Sequence, residues 1–479
     1  MEDSAIVAHH FWSEPGGAEL TMASAAQALR ELGIHTSILS PTELDKEKYR
    51  KFYGISLDGI PIIGPRLKMK RFALFSRLLL LPMTSRHSGE EDLVLIDSPF
   101  YKRRQNNIIE YIHFPFELYF HRNGSLEDLW KDDPYIAEKY SKVPLNIYWK
   151  MFTKLSSKFS RKNPFESASA VLVNSAWTGN IVRELYGEKP KILNPPLPPS
   201  TEILEKPRPF EERDVAIVML GRFSEEKRYH WVIDKIIPKV LKENPEVKLY
   251  IIGSASSPHS KRYLEALFKI AGKISLKASL HPDCSGNICF LPNASSELKR
   301  EIMDRTRVFL HSTVNEHWGI AVAEAMARGL PVVMHRSGGA WSDLAEYGKR
   351  AVGYLNEEED SELFARRCSH ILPLSLPLHN PQSNEHKREH CNHEGRLQPY
   401  PRSSREAERS RVQSFTLDTS MALDLSPHDI HFSLLCRSEE LEAISTLRIL
   451  PRSFPLHNGA AGANADICFS DSSVPWKGS

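Results

Sequence analysis

The densest chemistry in this 479-residue chain lies at 315–327, where Glu316 and Glu324 flank Gly319, with Asn315, His317 and Trp318 alongside. An apolar run, Val308-Phe309-Leu310-His311, precedes it and reads as a short buried strand. An alanine-rich run of helical composition follows, closed by Gly329 and Pro331. A strand-to-helix turn of this kind points its first backbone N–H groups, those of Gly319, Ile320 and Ala321, into open space, where the helix dipole favours an anion. A carboxylate before the turn and another inside the helix can both accept hydrogen bonds from sugar hydroxyls. The pattern suits a ligand that carries phosphate and sugar together. The plainer reading is two exposed charges at a helix start, where carboxylates are favourable in any case. A second turn sits near the N-terminus, where Gly16-Gly17 opens a helix and lets its N–H groups approach a diphosphate, unless it is an ordinary βα turn.

Such residues need strands and helices to hold them in place. Residues 5–11 read as a strand, 18–32 as a helix and 34–39 as a second strand, a βαβ opening. Further strands are expected at 93–96, 108–113 and 170–173, the last followed by the helix-capping sequence Asn174-Ser175-Ala176-Trp177-Thr178. The proline-dense Asn194-Pro195-Pro196-Leu197-Pro198-Pro199 marks a domain boundary. A second alternating unit follows, with strands at 215–221, 248–252, 288–291, 308–311 and 331–334, and helices at 231–244, 260–274 and 298–304. The fold class is therefore α/β: two doubly wound, Rossmann-like domains, 1–193 and 213–369, joined by a linker at 194–212 and facing one another across a cleft. Ligands belong at the C-terminal ends of the strands, where nearly all of the polar motifs fall.

Composition narrows the class further. The chain is 41% hydrophobic and 25% charged, with a formal net charge of +2, so no basic excess points to nucleic acid. Its 6 cysteines are scattered and contain no CxxC pair, which fits unpaired thiols in a reducing, cytoplasmic setting. No signal peptide precedes the first strand. The apolar window 72–83 is too short to span a bilayer. Lys68, Lys70, Arg71, Arg77 and Arg86 surround it, so it is either a segment lying on an anionic membrane surface or a core helix with snorkelling cations. Residues 370–479 are rich in Pro, Ser, Arg and His with poor periodicity, and read as a low-order tail. The group His379, His386, His390, Cys391 and His393 within it matches no standard metal-site spacing.

Taken in order, several motifs resemble those of the GT-B-fold, retaining glycosyltransferases of the family 4 type. They are Gly16-Gly17-Ala18-Glu19, Tyr111-Ile112-His113-Phe114-Pro115, Val173-Asn174-Ser175-Ala176-Trp177-Thr178, Gly221-Arg222-Phe223-Ser224-Glu225-Glu226-Lys227, the Glu316 to Glu324 spacing and Ser337-Gly338-Gly339. Their wording is most similar to the Alg11-like mannosyltransferases that extend lipid-linked oligosaccharides. The resemblance implies that Arg222 and Lys227 neutralise the leaving nucleoside diphosphate, the guanidinium through its fork and the ammonium as a point charge. It implies that Glu316 meets hydroxyls of the transferred sugar, that Gly319, Ile320 and Ala321 offer amides to the donor, and that Glu324 takes the ribose hydroxyls. His113, which on its own would more often be a satisfied core residue, is then a hydrogen-bonding partner of the transferred sugar. His317 and Trp318 are expected to support the site, Ser175 and Asn174 to cap a helix, and Ser337-Gly338-Gly339 to approach the donor or to form a plain turn.

The expected reaction is transfer of a hexose, mannose by the closer resemblance, from GDP-mannose to an acceptor hydroxyl of a lipid-linked glycan. Double displacement needs a carboxylate nucleophile, and no residue announces itself as one. The resemblance implies a front-face route in which the departing diphosphate draws the acceptor proton. No Asp-x-Asp metal motif lies between the strands, so no metal and no cofactor are expected. The competing readings are a nucleotide-sugar epimerase or phosphorylase of the same fold, or an inactive nucleotide-sugar-binding relative. Family 4 chains return to the first domain through C-terminal helices, and the similarity fades near 364–367, before that return.

Overall fold

The structure is a computed structural model that describes residues 4–65, 73–89, 92–101, 107–115, 143–204, 206–348 and 350–354. The tail at 370–479 with its His/Cys group, and Lys68, Lys70 and Arg71, lie outside the described residues.

The first domain is built from β1 (Ser4–Ala8), α1 (Gly17–Glu31), β2 (His35–Leu39), α2 (Lys46–Tyr53), β3 (Ile62–Ile63), α3 (Ala73–His87), β4 (Leu93–Ile96), β5 (Asn107–Ile112), α4 (Leu145–Phe159), β6 (Ala170–Val173), α5 (Ala176–Tyr186) and β7 (Lys191–Ile192). Its seven strands are parallel in the order β3-β2-β1-β4-β5-β6-β7. The second domain contains β8 (Asp214–Leu220), a helical run α6 from 229 to 243, β9 (Lys248–Gly253), α7 (Pro258–Lys273), β10 (Ala278–Ser279), β11 (Ile288–Pro292), α8 (Ser296–Arg305), β12 (Thr306–His311), α9 (Ile320–Ala327), β13 (Val332–His335) and β14 (Val352–Tyr354). These seven strands are also parallel, ordered β10-β11-β9-β8-β12-β13-β14.

Strands buried on both faces must be apolar throughout, and alternate side chains then feed two different cores. In β8, Ile217 and Met219 join a cluster with Ile233, Leu267 and Phe290, while Ala216 and Val218 join Tyr250, Phe309 and Val322 on the other face. The first sheet divides likewise, Val7 packing with Leu20 and Tyr49, and Ile6 and Ala8 with Leu80 and Ile96. In each sheet the chain reverses its winding direction once, between β1 and β4 and between β8 and β12. Crevices at such points are where open parallel sheets bind ligands.

Several expectations need correction. The strand expected at 5–11 ends at Ala8, releasing His9, His10 and Phe11. The helix expected at 231–244 has a π-turn at Val232–Ile236 between the helical pieces Tyr229–Trp231 and Ile237–Glu243. Pro238 is the cause: it has no N–H to give to the carbonyl four residues back, and its ring crowds that carbonyl. Cys284 and Cys289 form a disulfide, against the expectation of unpaired thiols. Residues 73–87 form a core helix, with Ser76 and Leu80 buried. Among the described residues, no helix is long and apolar enough to cross a membrane.

Candidate functional site

Because β12 runs parallel to β8 and ends beside it, its last residue, His311, opens the second crevice. The turn that follows brings Glu316 back over that strand end, where its Oε2 lies 2.7 Å from Lys227 Nζ and 3.1 Å from His311 Nε2. Burial alone would raise the Glu316 carboxyl, but the Lys227 ammonium, helped by His311, holds it well below the usual carboxylate range. Burial lowers His311 itself, only partly offset by Glu316, so it is neutral at pH 7. Ser312 Oγ donates to the Lys227 carbonyl at 2.6 Å and ties the two loops together. Arg222 stands on the loop after β8, half exposed, with Nη2 4.0 Å from Glu226 Oε1.

The turn is held from beneath. Gly319 caps α9 in the left-handed region, φ 88°, a conformation that costs other residues energy. Gly338, φ 75°, lies so close to Glu316 that a Cβ there would collide with its carbonyl oxygen and with the Asn315–Glu316 peptide. Gly339 N donates to Glu316 O at 2.8 Å, and Ser337 Oγ accepts from Asn315 N at 2.6 Å. Ser337-Gly338-Gly339 therefore buttresses the Glu316 turn. Glu324 is buried, and its Oε1 accepts from Thr201 Oγ1 at 2.7 Å and from Lys299. The structure thus pairs the expected ribose ligand with the linker and α8.

The first domain contributes the opposite wall. Gly16-Gly17 sits at the start of α1, and a Cβ on Gly17 would lie 3.2 Å from Ile320 Cδ1, so the two glycine turns face each other directly. Tyr53 OH donates to the Gly16 carbonyl at 2.8 Å. His113 emerges just past β5, its carbonyl held by Asn174 Nδ2 at 2.9 Å, while Ser175 caps α5 through Thr178 N.

Beside His113 lies a cluster that the sequence reading did not single out. His9 follows β1 and Asp97 follows β4, the two strands that flank the first reversal point. His9 Nδ1 is 2.5 Å from Asp97 Oδ2, and its Nε2 is 3.3 Å from Glu19 Oε1. Burial opposes a charge on His9, yet the Asp97 carboxylate and then Glu19 outweigh it and raise the imidazole to about 9. Burial lowers His113 to about 4 and His10 well below its usual value, with Arg77 adding to both. Arg77 therefore faces this cluster, not the surface expected for a membrane-facing cation. His113 Nε2 is 3.5 Å from Asp97 Oδ2. Three buried polar atoms here, Asp97 Oδ1, His113 Nε2 and His10 Nδ1, have no hydrogen-bond partner among the described residues. Buried polar atoms are seldom left unpaired, and several converging on one crevice call for a ligand with hydroxyls. His9, His10 and Asp97 also bring potential ligand atoms within 4.8 Å of one another. A metal there would have to displace the proton that His9 keeps to about pH 9, beside the Arg77 cation.

The walls touch. His317 stacks on Phe114 with ring centroids 4.4 Å apart and 8° between planes, and lies 5.8 Å from Trp177. Asp343 Oδ1 accepts from Ala176 N at 2.7 Å, at the first turn of α5. A cavity of about 700 Å³ lined by Lys206, Arg208, Asp214 and Arg305 opens at the opposite, N-terminal end of β8, away from this chemistry.

Residues 214–373 match the family model described as glycosyl transferases group 1. The second domain is a glycosyl transferases group 1 domain. A GDP-Man:Man(3)GlcNAc(2)-PP-Dol alpha-1,2-mannosyltransferase of Candida glabrata is 30% identical over 204 residues, 41% of this chain and 38% of that protein. The Alpha-1,3/1,6-mannosyltransferase ALG2 of the same organism is 22% identical over 395 residues, 72% of this chain and 80% of that protein. The chain thus spans about two fifths of the length of the alpha-1,2-mannosyltransferases it matches. HepE of Anabaena, solved in complex with UDP and glucose, aligns with a TM-score of 0.51 at 15% identity, covering 78% of this chain and 90% of that one. WaaG, a glycosyltransferase involved in lipopolysaccharide biosynthesis, aligns with a TM-score of 0.50 at 14% identity, covering 76% of this chain and 90% of that one. The group 1 domain and its partner therefore make up the two-domain GT-B fold.

Proposed function

We propose that the protein is a retaining mannosyltransferase that moves mannose from GDP-mannose to a hydroxyl of a lipid-linked oligosaccharide, working at a membrane surface. The observation that carries this reading is the confrontation of two prepared half-sites at the two reversal points. On one side Glu316 is held ionised by Lys227 and His311. On the other, Asp97 Oδ1 and His113 Nε2 are buried without a hydrogen-bond partner among the described residues. The activities of the relatives support the choice of mannose and of a lipid-linked acceptor.

In this reading the donor diphosphate draws Lys227 away from Glu316 and recruits Arg222, and the freed carboxylate accepts hydroxyls of the mannose. His113, neutral at working pH, hydrogen-bonds the same sugar from the other wall. Departure of the diphosphate is stabilised by the two cations, and its oxygen takes the proton of the acceptor hydroxyl on the same face, so the anomeric configuration is kept. No metal or cofactor is assigned a role.

Incubation with GDP-mannose and a short-chain, diphosphate-linked Man3GlcNAc2 acceptor tests the proposal, with UDP-sugars in parallel. Release of GDP together with a mannosylated product is the expected result. Nucleotide binding with neither hydrolysis nor product from any donor would refute it in favour of a binding-only protein.

A further inference from the structure

We infer that the linker residue Thr201 is a specificity-determining residue of the donor site: it fills one oxygen of the Glu324 carboxylate and leaves the other to a single ribose hydroxyl. The inference deepens the proposed function and rests on it for the presence of a nucleoside diphosphate. Glu324 follows Ile320 by four residues, so their side chains share one face of α9, roughly 5 Å apart along the axis. Ile320 is the residue that meets Gly17 across the crevice. The Tyr53 phenol, which donates to the Gly16 carbonyl, is pushed up by burial and then by Glu19 and Glu324, while Arg222 acts against them. Glu324 therefore lies within electrostatic reach of the guanidinium assigned to the diphosphate and of the glycine turn opposite. A carboxylate there repels phosphate oxygens and accepts only from donors, and the donors nearest the phosphates of a nucleotide are its ribose hydroxyls.

One of the two carboxylate oxygens is already taken. Oε1 accepts from Thr201 Oγ1 at 2.7 Å and from Lys299 Nζ, whereas Oε2 has no hydrogen bond among the described residues. Thr201 is held in place, being only 8% exposed and preceded by a residue fixed through its N–H, its hydroxyl and its carbonyl. Ser200 N donates to Tyr53 O at 2.7 Å, Ser200 Oγ to Phe52 O at 2.9 Å, and Arg300 Nη1 to Ser200 O at 3.0 Å. Gly54, φ 76°, lets the linker pack against the end of α2, since a Cβ there would lie 3.1 Å from Ser200 N. Lys299 adds a charged hydrogen bond to the same oxygen, so turning the carboxylate would break a strong contact. A carboxylate with both oxygens open grips both hydroxyls of a ribose; this one has room for one.

The test is calorimetric titration of the whole protein with GDP, 2′-deoxy-GDP and 3′-deoxy-GDP, with the uridine nucleotides in parallel. One deoxy nucleotide should bind roughly tenfold or more weakly than its parent, the cost of a lost hydrogen bond to a charged group, and the other within about twofold. Thr201→Ala opens the place of the hydroxyl at Oε1, so both deoxy nucleotides should then bind more weakly than the parent. Thr201→Ser keeps the hydroxyl and should restore selection of one. Equal binding of parent and both deoxy forms by the unmodified protein, or equal weakening of both, would overturn the inference. So would a Thr201→Ala protein that melts lower but keeps the original ratio between the deoxy forms, which would make the threonine a structural contact. Absence of binding by any nucleotide would overturn this inference and the proposed function together. The expected selection without mannosyl transfer would refute the proposed function alone.

Discussion

Glu316 and Asp97 do opposite things in the two walls of the cleft. Glu316 is held ionised by the Lys227 cation, whereas Asp97 is locked to the His9 imidazolium. Glu316→Gln keeps the shape of the side chain but removes its charge, and transfer should fall about 10²–10³-fold with an unchanged circular dichroism spectrum; near-normal turnover would refute the assignment. The histidines set the pH dependence of stability. His9 is raised from 6.5 to about 9, so its contribution is complete below pH 6.5 and is lost as pH rises through 9. His113 and His317, each lowered to about 4 and kept neutral by burial, act in the other direction: stability falls as pH drops from 6.5 towards 4. The melting temperature should therefore peak near pH 6.5. In Asp97→Asn the alkaline limb, on the order of 3 kcal/mol, should largely disappear. Glu316, His113, Lys227 and Arg222 were legible in the sequence because each lies in a contiguous motif. His9 and Asp97 were not, because they are 88 positions apart and meet only when β1 and β4 pair. The available signal was a polar residue directly after an apolar strand, which in a parallel sheet lands at the ligand-binding edge.

At the scale of elements, the long apolar strands and the capped helices were readable, since burial on both faces demands unbroken hydrophobic runs. The two-residue strands Ile62–Ile63, Lys191–Ile192 and Ala278–Ser279 were not, because a pair of residues has no period. Nor was the distortion of α6, where the apolar spacing continues through Pro238 although the hydrogen bonding cannot. The Gly319 turn is the element on which the second half-site depends. Gly319→Ala should cost about 1–2 kcal/mol from the left-handed backbone alone, and its Cβ would press on Ala340 at 3.0 Å. Chemical denaturation should show that loss together with weaker donor binding; full stability would mean the turn tolerates a side chain.

The described residues form two sheets of like winding with their reversal points opposed, and the contacts between them are polar, aromatic and, where Ile320 packs against the Val7 and Leu20 cluster, apolar. Linker residues take part: Ser200 N donates to Tyr53 O at 2.7 Å, and Arg300 Nη1 donates to Ser200 O at 3.0 Å. Removing two of the contacts in His317→Ala/Asp343→Ala should loosen closure. The expected result is a larger radius of gyration in solution scattering with GDP present, and more hydrolysis of donor relative to transfer. An unchanged scattering profile would show that the remaining contacts suffice. The stack of Trp177 and Phe114 on His317 has an optical consequence. Opening the domains would take the His317 ring away from the indole and admit water in its place, shifting the emission to longer wavelength. Trp177 is thus a native fluorophore at the seam, and with Trp177→Phe as the blank it would let each closing event on nucleotide be timed by stopped flow without attaching a label.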